Sequence, residues 1–187
     1  RSTYKQGDHM MIPEPASVVP NNQNSVVKPY VLSHGTLECY DLNKSRLFYE
    51  EFLGLECVRH ALPALAIRCG LRFHIVAVET PEVHPTNLLN HWGLDVASKE
   101  AVDAAHKAAL ELSEKYGIRQ VMDIVNQHGV YSFYLEDLDH NWWEIQYYDG
   151  FQHDDYFDFG DRFWTTAHKK SHSSSLKCTV LCRILRD

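Results

Sequence analysis

The stretch Val130-Tyr131-Ser132-Phe133-Tyr134-Leu135-Glu136-Asp137-Leu138-Asp139-His140-Asn141-Trp142-Trp143-Glu144-Ile145-Gln146-Tyr147-Tyr148 decides how the chain is built. Two runs rich in aromatic and β-branched residues flank Asp139-His140-Asn141, whose short polar side chains tolerate left-handed geometry. The stretch therefore reads as a hairpin, with strands over 130–137 and 142–148. In a turn centred on Asp139, residues 134 and 144 lie equally far from the centre. Tyr134 then faces Glu144 across the ladder, with β-carbons on the order of 5 Å apart. Glu144 sits between Trp143 and Ile145 on a strand that expects burial. A bare carboxylate is costly there, and a cation would meet the need.

Outward from the hairpin, the pattern repeats. Asn90 to Val96 reads as a strand and Ser98 as a helix cap. The helix that follows places Val102, Ala105, Ala109 and Leu112 on one face at spacings of three and four and ends at Gly117. The first half runs the same way. A strand over Tyr30 to Tyr40 leads to a cap in Asp41-Leu42-Asn43 and a helix carrying Leu47, Phe48, Phe52 and Leu53 up to Gly54. Short strands over Ala64 to Cys69 and Arg72 to Glu79 then flank Gly70-Leu71. The order β, α, several β, occurring twice, predicts an α+β fold.

A chain of 187 residues, 44% hydrophobic and 12% aromatic, supports one core with tails. We expect an N-terminal arm over 1–29, tag-like at its start, and one domain over 30–150 in halves of about 30–85 and 90–150. An aromatic and acidic extension over 151–164 is expected to serve as a lid or a dimer contact, and a low-complexity tail covers 165–187. A formal charge of -7 without a basic stripe argues against nucleic acid and leaves a small molecule as the partner. No apolar run is long enough to span a bilayer, and no CxxC occurs among the five cysteines, so the expectation is a cytoplasmic protein with reduced thiols and no membrane partner.

One ligand per strand is an economical way for a curved sheet to hold a metal ion. His34, His91 and Glu144 each sit within such a strand, and they are the candidate ligands of one divalent ion. His74 shares a strand face with Val76 and Val78, so an imidazole points where its neighbours are apolar. His128 precedes the Tyr134 strand, next to Gly129. The remaining histidines are read as surface or satisfied residues.

On these residues the chain resembles the vicinal oxygen chelate superfamily. The resemblance covers 34–150 and rests on Ser33-His34-Gly35, Phe48-Tyr49 with Phe52-Leu53-Gly54-Leu55, Asn90-His91-Trp92-Gly93 and Asp137-Leu138-Asp139-His140-Asn141-Trp142-Trp143-Glu144. It implies two fused βαβββ modules forming a curved mixed sheet around a metal cleft, with the helices outside. Arg72-Phe73-His74-Ile75-Val76-Ala77, His128 and Ser132-Phe133-Tyr134 are similar to the catalytic segments of type I extradiol ring-cleavage dioxygenases. That likeness implies Fe(II), a catechol-type aromatic diol and O2, and the superfamily resemblance implies a homodimer. His74 would be the acid–base residue, with His128 and Tyr134 as hydrogen-bonding partners of the bound oxygens.

Two other activities of the same superfamily compete with this reading. A glyoxalase-like or fosfomycin-resistance-like enzyme would use Zn, Mn or Ni as a Lewis acid. The glyoxalase type adds a carboxylate from module one, for which Glu79 and Glu82 are poorly aimed. A drug-sequestering protein of the bleomycin-resistance type would need no metal triad.

Overall fold

The computed structural model describes residues 26–27, 32–70, 73–127 and 129–149. The first module runs β1 (His34–Cys39), α1 (Leu42–Leu47), a π-helical turn (Phe48–Phe52), β2 (Glu56–Ala61), β3 (Ala64–Arg68) and β4 (His74–Glu79). In the second, β5 (His91–Asp95) leads to α2 (Lys99–Glu111), α3 (Ser113–Tyr116), β6 (Gln120–Val121), β7 (Val125–Gln127), β8 (Val130–Glu136) and β9 (Trp142–Tyr148). The twice-used α+β plan expected from the sequence is present.

Local chemistry explains the boundaries. Asp41 Oδ1 accepts from the backbone N–H groups of Asn43 and Lys44 at 2.9 and 3.2 Å, which satisfies donors the first helical turn leaves open. Helix α1 widens into the π-turn and stops where Gly54 adopts a φ of 71°. Ser98 caps α2 through Ala101 N–H, and α3 ends at Gly117 with a φ of 68°. Val102 and Ala109 are buried as the helical spacing requires, whereas Leu112 is exposed at the break between α2 and α3. In the first strand, pairing begins at His34; residues 28–31 lie outside the described set, as do Leu71 and Arg72 of the expected turn.

The sheet is divided into two hydrogen-bonded halves, of order β1-β4-β3-β2 and β5-β9-β8-β6, with β7 paired to β8. In each half the module's first strand lies parallel to its last, β1 to β4 and β5 to β9. Strand alternation then divides the faces. Leu37, Cys39, Leu65, Ile67, Ile75 and Ala77 of the first half join Phe133, Leu135, Trp143 and Ile145 of the second in one core, closed by Leu42, Phe48, Tyr49, Val102 and Ala109 from the helices. The opposite faces are left for His34, Thr36, Glu38 and His74 in one half and His91, Ser132, Tyr134 and Glu144 in the other.

Besides the shared core, two contacts join the halves near the cleft. The Trp92 ring occupies the position that a β-carbon on Gly35 would take, so β1 and β5 approach closely only because residue 35 has no side chain. At the other contact the β8–β9 turn reaches back to module one. Asp139 accepts from Tyr40 N–H at 2.8 Å and from the Ser45 hydroxyl, and Asn141 Nδ2 donates to the Glu38 carbonyl at 3.0 Å.

Candidate metal centre

The hairpin register matches the arithmetic of its sequence: Tyr134 pairs with Glu144, and Glu144 pairs on its other side with Gly93. His91 lies two residues from Gly93 on the same face, and its Nε2 comes within 3.2 Å of Glu144 Oε2. The other ring nitrogen, Nδ1, is 2.7 Å from the carbonyl of Leu88. A carbonyl only accepts, so Nδ1 carries a hydrogen. In the neutral ring the lone pair is therefore on Nε2, turned toward Glu144. A backbone carbonyl fixing Nδ1–H is a common way of orienting a metal-binding histidine.

Glu144 is 8% exposed and serves several donors. Burial works against its ionisation, but hydrogen bonds from His91, Ser132 and Tyr134 outweigh that and hold the carboxyl below its ordinary value. The bond to Glu144 in turn raises His91, against the opposing effect of burial. Tyr134 is pushed up by burial and by the charge of Glu144, so its hydroxyl stays protonated as a donor. The His91 and Tyr134 rings meet edge to face with centroids 5.0 Å apart. A proton shared by His91 and Glu144 thus occupies ground that a divalent cation would compete for.

On the facing half, His34 and His74 are register partners on β1 and β4, and their rings stack with centroids 5.5 Å apart. His34 Nδ1 is 2.8 Å from Ser33 Oγ, so this nitrogen is engaged as Nδ1 of His91 is. The structure therefore assembles two pairs, His91 with Glu144 and His34 with His74. Among the described residues, no three His, Cys, Asp or Glu side chains lie close enough together to hold an ion as they stand. In donor chemistry the residues fit a two-histidine, one-carboxylate site: two imidazoles with Nδ1 engaged and one carboxylate on facing halves of the sheet. His128 lies outside the described residues.

Glu79, weighed above as a further carboxylate, is occupied elsewhere. Its Oε2 accepts the Leu42 N–H at 2.9 Å at the start of α1. Two contributors escaped the sequence reading. Ser132 sits two residues before Tyr134 on the same strand face, a signal that parity alone carries. The Leu88 carbonyl lies in a loop, where no sequence pattern marks it.

With the geometry in hand, comparison with solved structures gives the fold class. The chain is similar to a glyoxalase/bleomycin resistance protein from Albidiferax ferrireducens T118, at 20% identity and TM-score 0.50 over 62% of this chain and 96% of that one. It is also similar to a possible glyoxalase from Bacillus cereus, at 24% identity and TM-score 0.50 over 63% and 98%. A hypothetical protein from S. aureus gives 21% identity and TM-score 0.50 over 66% and 99%. At these identities the likeness is one of fold, and the chain has the glyoxalase-type arrangement of two βαβββ-like modules. No family model matches the sequence, and no curated protein does.

Proposed function

We propose that the chain is a metal-dependent enzyme of the vicinal oxygen chelate superfamily, and that it opens a catechol-type ring with O2. His34, His91 and Glu144 would hold one divalent ion, most simply Fe(II). The observation that carries the reading is the His91–Glu144 pair, a 3.2 Å contact whose histidine is oriented through Nδ1 by the Leu88 carbonyl. Fe(II) bound there would supply the electron transfer to O2 and gather the two diol oxygens. In the reaction, the ring carbon–carbon bond beside the two hydroxyls breaks and both atoms of O2 enter the product.

The chain's own groups supply the rest. His74, stacked against His34 on the cleft face, would take a proton from a diol hydroxyl and return it to the product. Tyr134 keeps its proton and, turned from Glu144, can donate to an oxygen of the ligand on which charge develops. His128 takes its oxygen-binding role from the resemblance alone. The engagement of Glu79 at the start of α1 favours ring cleavage over the glyoxalase type, because it removes that candidate for a fourth, module-one ligand.

The test is anaerobic reconstitution with Fe(II), addition of a panel of catechols, and admission of air. The expected result is O2 uptake with a yellow ring-opened product. Absence of turnover on every catechol, together with tight Zn or Mn, would overturn the dioxygenase reading.

A further inference from the structure

Beside His91 the cleft has a second polar feature that metal binding does not use. A cavity of about 650 Å³, of a size suited to a small ligand, is walled by His91 together with Thr36, Glu38, His84, Asn90 and Asn141. His91 is thus common to the cavity wall and the candidate centre, and Thr36 and Glu38 lie on the strand face that carries His34.

Its electrostatic character is one-sided. Glu38 is held from the loop side by His84, whose backbone N–H donates to Oε2 at 2.7 Å and whose Nδ1 lies 3.0 Å from the same oxygen. These bonds, the backbone one first, keep the Glu38 carboxyl below its ordinary value, so the wall carries a negative charge at neutral pH. Among the described residues, Oε1 has a 3.3 Å contact to the His84 ring and no shorter one. No Lys or Arg is among the described residues that line the cavity. Arg68, near His74, belongs to a different hollow and is engaged by Glu56 through contacts of 2.7 and 3.1 Å.

We propose that this cavity receives the side arm of the substrate, and that Glu38 selects an arm bearing a protonated amine over one bearing a carboxylate. The inference rests on the reading that the diol end of the ligand sits at His91 and Glu144. An ammonium group at Oε1 makes a charge-assisted hydrogen bond. A carboxylate in the same place meets a like charge, and no Lys or Arg stands among the described lining residues to offset it.

The experiment is equilibrium binding to the full Fe(II)-loaded chain under nitrogen at about pH 7, where amine and carboxylate arms are both charged. Dopamine, unsubstituted catechol and protocatechuate are the probes, and Glu38→Gln is compared with the unaltered chain. Dopamine is expected to bind at least about tenfold more tightly than protocatechuate, and that ratio should fall toward one in the Glu38→Gln protein. Protocatechuate binding as tightly as dopamine, or a ratio that survives Glu38→Gln, overturns the assignment of Glu38 while leaving ring cleavage standing. Failure of all three diols to bind overturns the ring-cleavage reading and this inference with it.

Discussion

Gly35 is where one added methyl group probes the approach of the two modules. The Trp92 ring already fills the place of its β-carbon, with Cζ2 and Cζ3 both 3.0 Å from that point. Gly35→Ala is therefore expected to lower stability by about 1–3 kcal/mol, the usual cost of forcing an extra carbon into a packed site. Gly93→Ala is the control, since its nearest neighbour is Gln146 Nε2 at 3.6 Å, an ordinary contact. Denaturant midpoints of the two variants check this, and equal midpoints would contradict the close packing of β1 on β5. The sequence already carried the glycine, in Ser33-His34-Gly35. What it did not carry was the identity of the ring that excludes a side chain, because Trp92 belongs to the other module and no local pattern joins them.

The β8–β9 turn holds two buried carboxylates, Asp137 bonded within the hairpin and Asp139 bonded to module one. Asp137 is 0% exposed and accepts from Asp139 N–H, Asn141 N–H and Trp143 Nε1–H at 2.8, 2.9 and 2.9 Å. Burial pushes its carboxyl up to about 7 despite these bonds, while Asp139 is also raised, chiefly by burial. The folded chain thus holds a proton at Asp137 more tightly than the unfolded chain, for which the ordinary value is 3.8. Its contribution to stability is complete below that ordinary value, declines as pH rises, and is lost above about 7. Relative to Asp137→Asn, the unaltered protein should lose about 1 kcal/mol or more between roughly pH 4 and pH 8, read from the difference between the two unfolding curves. A difference that grows with pH would contradict this account. The hairpin itself was legible from 130–148, down to the Tyr134–Glu144 register, because alternation and turn chemistry are local. The edge strand β2 was not legible: only Cys57 of its six residues is buried, so it lacks the alternating pattern a half-buried strand shows. β6 and β7, of two and three residues, are too short to carry a period. The roles of Asp137 and Asp139 also escaped, since turn residues are expected at the surface and their burial depends on module one closing over them.

At the scale of the whole molecule, the fold brings the first and last strands of each module together and so delivers His34 with His74 and His91 with Glu144 to the faces left free by the core. The identities of the ligand candidates could be read from strand placement and the superfamily resemblance. Their grouping into pairs could not, because it depends on parallel pairing between strands separated by a whole module. The central claim is that His34, His91 and Glu144 hold one metal ion and that His74 does not. Metal content measured after anaerobic Fe(II) loading and desalting tests it most directly, in the unaltered chain and in His34→Ala, His91→Ala, Glu144→Ala and His74→Phe. The account predicts one iron per chain in the unaltered protein and in His74→Phe, with loss of most of the iron in each of the other three. Stoichiometric iron in His34→Ala, or equal loss in His74→Phe and Glu144→Ala, would contradict it.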